Sequence, residues 1–365
     1  MVSFRLGGPD GVSVQAGTWG RALERLGYSL RRVAGELADG PRPGDVVVPG
    51  LAVAAEAAPG PAGQRPAAPG GPDAGELHAA LAGSAVVVVE NMLSLPLHLE
   101  AARVLTRVLT ELPAETRVLL HHHDFAWQRP ETAAITELPP RLPRAVHVTI
   151  NDFSRRELAE RGIEAVTVRN AFDLDAPPGR RDETRAALGL GADDLLVLQP
   201  TRAIARKNIP AALRLAEELA ARLPRPVTYW LPGPAEDGYA ATLAGVLAEA
   251  RVPVLRAHPG ALGFGMDDAY AACDLVAFPS TGGEGFGQPV IESVWADRPL
   301  AVLSYPALTE ITDLGFSFLQ ADDPDGVAEA LRHPDASTSA RNRELAEANF
   351  SMTALERRLR TLLGI

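Results

Sequence analysis

Residues 279–292 read PSTGGEGFGQPVIE and follow the run DLVAF at 274–278. The apolar run predicts a buried strand of a parallel sheet, and the glycine-rich turn lies at its carboxyl end, where open α/β sheets bind ligands. Gly285 and Gly287 allow close approach of a ligand to the backbone, and the helix-start amides after Gln288 favour a diphosphate. A turn that only caps a helix is the alternative interpretation.

Two carboxylates flank this turn, eight positions apart. Glu292 lies one turn inside the predicted helix, where it can accept hydrogen bonds from ribose hydroxyls. Glu284 precedes the turn and is left to face a sugar. The stretch therefore predicts a site for a sugar nucleotide.

A second signal is the position of Lys207, which is the only lysine in the chain. It lies in the loop QPTRAIARKN at 199–208, directly after the apolar strand LLVL at 195–198. We predict that Arg202 and Lys207 converge on the diphosphate and offset the charge of the departing group. With Arg206, three cations crowd the start of a helix, which is unfavourable unless an anion binds. A solvated basic loop is the alternative.

These segments resemble the E-x7-E signature and the R-x4-K element of retaining glycosyltransferases of the GT4 family. The resemblance implies an α/β protein of the GT-B fold, with two Rossmann-like domains whose parallel sheets face each other across a cleft. It also implies a set of donor-binding residues. These are Arg202, Lys207, Glu284, Gly285, Phe286, Gly287, Gln288 and Glu292. The sequence departs from the family pattern at 296–299, ADRP, where a glycine is usual, and at Asn208, which replaces a glycine.

The segment LHHHDFAWQR at 120–129 carries three histidines at the carboxyl end of another predicted strand. Imidazole and carboxylate groups are good metal ligands. However, side chains alternate along a strand, so His121 and His123 point one way and His122 the other, which disfavours a compact three-histidine site. A purely structural histidine cluster is a further alternative.

The same segment resembles the H-N-I-A-Y-Q loop of bacterial glycogen synthases. The resemblance implies that His123 lies at the reaction centre, hydrogen-bonds the donor sugar and stabilises positive charge at the anomeric carbon through its backbone carbonyl. Trp127 would stack on a sugar ring, and Arg129 would meet an anionic group of the acceptor, although a surface arginine is the commoner explanation. Asn91, in the loop after the strand at 86–89, is a further acceptor-binding candidate.

The loop GGPDG at 7–11 does not match G-x-G-x-x-G, which argues against a conventional dinucleotide site. In GT4 enzymes a first loop of this kind borders the donor phosphates and the acceptor. The resemblance therefore adds Gly8 as a donor candidate and Asp10 as an acceptor candidate.

Apolar runs alternate with amphipathic stretches along the chain, which is typical of parallel sheets covered by helices. Predicted strands are 45–48, 85–89, 117–120, 146–150 and 166–168, then 195–198, 227–231, 252–255, 275–278 and 300–303. Residues 12–26 and 351–363 predict helices, and 56–75 a mobile loop. We expect an acceptor-binding domain at 1–170, joined by a final helix at 351–365, and a nucleotide-sugar-binding domain at 171–350. The linker is 170–179, and VRNAFD at 168–173 is similar to the V-x-N-x-x-D of the family.

Composition excludes several classes of protein. The net charge of −11 over 365 residues argues against a nucleic-acid binder. Cys273 is the sole cysteine, so neither an intrachain disulfide nor a cysteine-based metal cluster can form, which fits a reducing compartment. We expect a cytoplasmic protein with neither a signal peptide nor a transmembrane segment.

The resemblance implies a retaining, metal-independent hexosyltransferase without a cofactor. Its donor would be a UDP- or GDP-linked sugar of the glucose or mannose type, and its acceptor a hydroxyl of a soluble metabolite or glycoside. Two alternatives stay open: a sugar-nucleotide 2-epimerase of the same fold, and a non-catalytic protein that binds nucleotide sugars.

Overall fold

The structure, a computed structural model, describes residues 1–8, 10–53, 70–129, 132–177, 179–236 and 238–365. The chain divides into two compact units. Unit 1 comprises Met1–Ala171 and Met352–Ile365, and unit 2 comprises Phe172–Ser351. The division falls one residue from the predicted boundary, and the last helix belongs to unit 1 as the resemblance implies.

Unit 1 is built on a parallel sheet with strand order β3-β2-β1-β4-β5-β6-β7. Its strands are β1 Val2–Leu6, β2 Val33–Leu37, β3 Val46–Val47, β4 Val86–Glu90, β5 Arg117–His122, β6 Ala145–Thr149 and β7 Ala165–Thr167. Since every neighbouring pair is parallel, the carboxyl ends of the strands meet at one edge. Glu90 and the three histidines at 121–123 lie at this edge.

Helices cover both faces of this sheet. They are α1 Gly11–Arg25, α2 Ala74–Leu81, α3 Leu99–Glu111, α4 Asp152–Glu160 and, from the end of the chain, α13 Met352–Leu363. One apolar cluster packs α2 and α3 against the sheet. A second packs Trp19 of α1 with Leu355 and Leu359 of α13. The end of the chain is therefore part of the core of unit 1.

Unit 2 has a second parallel sheet, with strand order β10-β9-β8-β11-β12-β13. Its strands are β8 Leu195–Leu198, β9 Val227–Trp230, β10 Val254–Leu255, β11 Leu275–Phe278, β12 Leu300–Val302 and β13 Leu319–Gln320. Its helices are α5 Arg181–Ala187, α6 Ile209–Arg222, α7 Ala240–Ala248, α8 Met266–Ala272, α9 Pro289–Trp295, α10 Pro306–Asp313, α11 Pro324–Arg332 and α12 Ala336–Phe350. The central strands β8 and β11 are completely buried, as their unbroken apolar sequences require.

The predicted α/β class with two parallel-sheet units is confirmed. Three strands escaped prediction: β1, β2 and β13. The predicted loop at 56–75 lies largely outside the described residues, but its end is wrong, because Asp73 caps α2 and the helix begins at Ala74. No helix in the described ranges combines the length and apolar character needed to cross a bilayer.

Candidate active site

In unit 2, three side chains converge on one oxygen of Glu284, in the turn between β11 and α9. Arg206 Nη1 donates to Oε2 at 2.7 Å and Ser280 Oγ donates at 3.1 Å, while Lys207 Nζ contacts the same oxygen. The side chains of Lys207 and Glu284 are only 9% and 11% exposed. The sole lysine and the first glutamate of the signature are therefore direct partners.

This pairing answers the electrostatic problem of the basic loop. Burial alone would raise the pKa of Glu284, but the charges of Lys207 and Arg206 lower it, so the carboxylate stays ionised. Burial also lowers the pKa of Lys207; Glu284 opposes that shift, and the charges of Arg206 and Arg202 add to it. The protein itself therefore supplies an anion to Lys207 and Arg206.

Arg202 does not join this cluster. Its Nη1 donates to Glu236 Oε2 at 2.5 Å in a largely exposed ion pair. The structure therefore brings together Lys207 and Glu284, adds Arg206, and leaves Arg202 close enough to affect the pKa of Lys207 but bound to another carboxylate.

Buried polar contacts hold the basic loop in place. Gln199 Nε2 donates to the carbonyl of Lys207 at 2.7 Å, and Tyr229 Oη donates to Gln199 Oε1. Asn208, where the family has glycine, has a φ of +51°, a left-handed conformation that asparagine tolerates better than most residues. The amide of Thr281 donates to the carbonyl of Arg206 at 2.9 Å and ties the loop to the glycine turn.

The glycine turn has a structural requirement of its own. Gly287 has a φ of +83°, and a Cβ there would lie 2.3 Å from Tyr305 Oη and 2.8 Å from Phe278. Tyr305 Oη donates to the carbonyl of Phe286, so the space on the Cβ side of Gly287 is filled by protein. Conformation and packing therefore require glycine here, and the close approach of a ligand stays a prediction.

The other donor candidates in the turn are of two kinds. The ring of Phe286 packs between Phe172 and Phe350, and its carbonyl accepts from Tyr305 Oη. Gln288 is partly exposed and precedes α9, which is seven residues long. Gly285, before them, is also partly exposed.

Glu292, the second glutamate of the signature, lies in α9 and accepts a hydrogen bond from Tyr270 Oη at 2.6 Å. Burial raises the pKa of Glu292, and the hydrogen bond from Tyr270 opposes that shift. The pKa of Tyr270 is raised by burial and by the neighbouring carboxylate, so the hydroxyl remains the donor. Tyr270, on α8, was not anticipated from the sequence.

In unit 1, the carboxylate of Glu90 joins two of the three histidines. Its Oε2 lies 2.8 Å from His121 Nδ1 and 3.1 Å from His123 Nε2. Glu90 and His121 are register partners on β4 and β5. Burial by itself raises the pKa of Glu90, but the two imidazoles lower it to about 2. An ionised, fully buried carboxylate therefore fixes the ring of His123.

The middle histidine points to the opposite face, as strand alternation predicts. His122 Nδ1 contacts Ser94 Oγ at 2.5 Å, and its Nε2 lies 2.9 Å from His147 Nδ1. Burial lowers the pKa of His122 far below its usual value, and it lowers that of His147 to about 4 with the help of the Arg141 charge. His122 and His147 therefore form a neutral, buried pair.

Glu90, His121 and His123 offer the donor types that zinc prefers, with one ligand atom from each within 4.8 Å of the others. Metal-bound histidines normally donate their second ring N–H to an acceptor. His121 Nε2 is fully buried and has no hydrogen-bond partner among the described residues. The geometry therefore favours a hydrogen-bonded cluster over a metal centre.

Asn91 has a structural task that the sequence did not reveal. Its Oδ1 accepts hydrogen bonds from the amides of His123, at 2.9 Å, and Asp124, at 3.2 Å. The residue is 6% exposed and has a φ of +57°. The side-chain oxygen of this acceptor-binding candidate thus holds the backbone of the histidine loop.

The acceptor candidate Asp10 and the donor candidate Gly8 lie side by side in the first loop of unit 1. Asp10 is the N-cap of α1 and accepts from the amide and hydroxyl of Ser13 and from Arg5. Gly8 lies beside it, and a Cβ on Gly8 would come within 3.0 Å of Asp10 Oδ2. Capping explains Asp10 without a ligand.

The stacking of Trp127 on a sugar stays a prediction, and in this structure the ring contacts protein groups. One face of the indole stacks on Phe125, with ring centroids 4.4 Å apart and planes 6° from parallel, and the Arg161 guanidinium lies 4.0 Å from the ring centroid. Protein groups thus already occupy the stacking positions. Arg129 is 41% exposed and pairs with Asp124 at 3.2 Å, so it remains accessible to an anion.

The sequence interpretation missed several site residues: Glu90, Gln199, Tyr270 and Ser280. Arg206 was counted among the crowded cations but was not named as a site residue. Glu90 could have been found as the charged residue that ends the run VVVVE, since a carboxylate there needs a partner. Gln199 and Ser280 lie inside the two quoted stretches, but neither motif marks them, and Tyr270 reaches Glu292 from a segment 22 residues away.

Comparison of the sequence with known proteins finds related synthases. No family model matches the chain. It is similar to mannosylglucosylglycerate synthases of Petrotoga mobilis, with 27% identity over 63% of the chain, and Thermotoga maritima, with 26% identity over 68%. The chain spans 62% and 64% of the length of these two relatives.

Solved structures resemble the whole chain. Anabaena HepE, crystallised with UDP and glucose, superposes with a TM-score of 0.69 at 17% identity, covering 99% of both chains. Sucrose-phosphate synthase from Thermosynechococcus elongatus gives 0.65 at 15% identity, covering 100% of this chain and 98% of that one. These structures confirm the GT-B fold that the motifs indicate, and the two mannosylglucosylglycerate synthases support the resemblance to GT4-type glycosyltransferases.

Proposed function

We propose that this protein is a retaining glycosyltransferase that moves a hexose from a nucleoside diphosphate sugar to a hydroxyl acceptor. The observation that carries the proposal is the cluster of Lys207 and Arg206 around Glu284, at the carboxyl ends of β8 and β11. Two cations held beside a single carboxylate at this edge of a parallel sheet form a site ready for a second anion. The similarity to named synthases supports the same conclusion.

In the proposed reaction, Lys207, Arg206 and Arg202 offset the negative charge that develops on the departing diphosphate. A bound diphosphate would take over donors that now serve Glu284 and Glu236. Glu284 would then be free to accept hydrogen bonds from the donor sugar. Glu292 would accept from the ribose hydroxyls.

His123 is the residue that we place at the reaction centre. Its ring would hydrogen-bond the donor sugar, and its backbone carbonyl would stabilise positive charge at the anomeric carbon. Glu90 and Asn91 support this role, because one holds the ring and the other the backbone amide. Retention would follow from front-face attack, in which the departing phosphate oxygen helps to take the acceptor proton. The cations of unit 2 would replace a metal in this step.

The relatives suggest the substrates. Both are named mannosylglucosylglycerate synthases. We therefore propose a mannose- or glucose-type donor linked to UDP or GDP, and a soluble glycoside with a carboxylate, such as glucosylglycerate, as acceptor. Arg129 is an accessible cation that could meet that carboxylate. A cytoplasmic location remains a prediction.

The first test is calorimetric titration of the full chain with UDP, GDP, ADP and TDP in the presence of a chelator. One clear micromolar binder would fix the donor class. Its mannose and glucose conjugates would then be assayed with glucosylglycerate and with neutral glycosides. Absence of binding by a folded protein would overturn the donor site.

Product analysis separates the alternatives. A 2-epimerase would change the sugar nucleotide without an acceptor, and a non-catalytic protein would bind the donor and neither transfer nor hydrolyse the sugar. A transferred sugar whose anomeric configuration is inverted would refute retention while leaving the transferase activity intact.

A further inference from the structure

Tyr270 and Glu292 form a short hydrogen bond between α8 and α9. The phenolic oxygen lies 2.6 Å from Oε2 of the carboxylate. That separation is in the range of charge-assisted O–H···O⁻ bonds, which are about twice as strong as bonds between neutral groups. The two residues belong to different helices, so this contact ties the carboxylate to an element outside its own.

The two partners of this hydrogen bond differ in exposure. Tyr270 is 2% exposed, whereas Glu292 is partly exposed. Within the described ranges, Tyr270 is the only side chain that donates a hydrogen bond to Glu292. One carboxylate oxygen is therefore held by a buried hydroxyl, while the glutamate as a whole keeps some exposure.

We propose that Tyr270 is a positioning residue for ribose recognition, which holds Oε2 of Glu292 and presents Oε1 to the 2′- and 3′-hydroxyls of a nucleoside diphosphate. The assignment rests on the proposed function, since it takes Glu292 as the ribose acceptor. A glutamate side chain that is free to rotate loses conformational entropy when it binds a ligand. A carboxylate already fixed by a buried hydroxyl avoids much of that cost. Burial raises the pKa of Glu292, and the same bond opposes that rise.

The decisive variant is Tyr270→Phe, which removes the hydroxyl and keeps the ring in its pocket. Calorimetry would compare UDP with 2′-deoxy-UDP and 3′-deoxy-UDP, or the guanosine series if GDP is the diphosphate that binds. We expect the wild type to prefer the ribonucleotide about tenfold or more, because a ribose hydroxyl on a carboxylate is a charge-assisted contact. In Tyr270→Phe that preference should fall to roughly threefold or less, while affinity for the deoxynucleotides stays nearly constant.

Two further variants make the result specific. Tyr239→Phe removes a tyrosine hydroxyl from the same unit, just before α7, and should leave the preference unchanged. In Glu292→Ala the ribose preference should be lost, and adding Tyr270→Phe to it should cause no further loss, because Tyr270 acts only through the carboxylate.

The possible failures are distinguishable. If Tyr270→Phe weakens ribo- and deoxynucleotides equally, or retains the full preference, the assignment of Tyr270 is wrong while the nucleotide site stands. If the folded wild type binds no nucleoside diphosphate, the proposed function fails and this assignment falls with it.

Discussion

Oε2 of Glu90 lies 3.1 Å from Nε2 of His123, and both side chains are buried. The same oxygen also accepts from His121, so one carboxylate sets the orientation of two rings. This relationship connects the end of β4 to the histidine loop that follows β5.

Glu90→Gln should lower kcat about tenfold and change nucleotide affinity less than twofold. The neutral amide is a weaker acceptor than a carboxylate, so His123 would be held less firmly. Initial rates and calorimetry measure the two quantities separately, and the pH dependence of kcat should also change because the buried charge is gone. Full activity of this variant, beside an inactive His123→Ala, would show that Glu90 is dispensable.

His123→Ala should retain nucleotide affinity and lose kcat by about 100-fold or more, the scale seen when an electrostatic group at a reaction centre is removed. The assay is transfer to the accepted glycoside or, without one, hydrolysis of the donor. Normal turnover would contradict the alignment of 120–129 with the histidine loop.

Lys207→Met should weaken binding of the nucleoside diphosphate by about tenfold to 100-fold, since a charged hydrogen bond to the diphosphate is lost. The affinity of this variant for the nucleoside monophosphate should fall by a smaller factor. Arg251→Met is the control, because Arg251 is an exposed cation of the same unit paired with Glu217. Equal affinity of Lys207→Met and wild type would remove the lysine from the donor site.

Asn91→Ala should destabilise unit 1 by about 1–3 kcal/mol, because the amides of His123 and Asp124 lose their acceptor. Asn91→Gly tolerates the positive φ but lacks the acceptor, whereas Asn91→Asp supplies both. Urea unfolding should therefore show that Asn91→Asp is more stable than Asn91→Gly, and that Asn91→Gly is more stable than Asn91→Ala. An alanine variant as stable as the wild type would mean that these hydrogen bonds contribute nothing net.

Stability should fall as the pH drops from about 6.5 to about 4. The pKa of His147 is lowered to about 4 in the folded protein, so the unfolded chain binds the extra proton first, which destabilises the fold by up to about 3 kcal/mol at pH 4. His122, shifted in the same direction, adds to the loss.

Urea midpoints at pH 7 and pH 5 measure this loss in wild type and in His147→Gln. The variant should show a smaller difference between the two pH values, while His333→Gln, at an exposed histidine, should match the wild type. An unchanged difference in His147→Gln would rule out His147 as the source.

Strands such as β8 and β11 were predictable because every residue in them is apolar, which indicates burial on both faces of the sheet. β2 was not, since Gly35 and Glu36 interrupt its pattern. The structure explains the glycine: a Cβ there would lie 2.1 Å from the backbone of Ala52. Such a close approach depends on the tertiary fold.

The motifs predicted the two glutamates and the lysine of unit 2, but not that Lys207 and Glu284 would be partners. The sequence also could not show that Asn91 holds two backbone amides or that the ring of Trp127 stacks on Phe125. Residue type alone does not say whether a polar or aromatic group already has a partner within the protein.

The packing of α13 against α1 has a consequence for synthesis of the chain. Residues 1–171 leave the ribosome long before 352–363, yet the core around Trp19 includes Leu355 and Leu359. All of unit 2 is made in between. Synthesis of unit 1 therefore begins before that of unit 2, but its core is complete only after unit 2 has been made. Until then, the apolar surface that later packs against α13 is exposed and can bind chaperones.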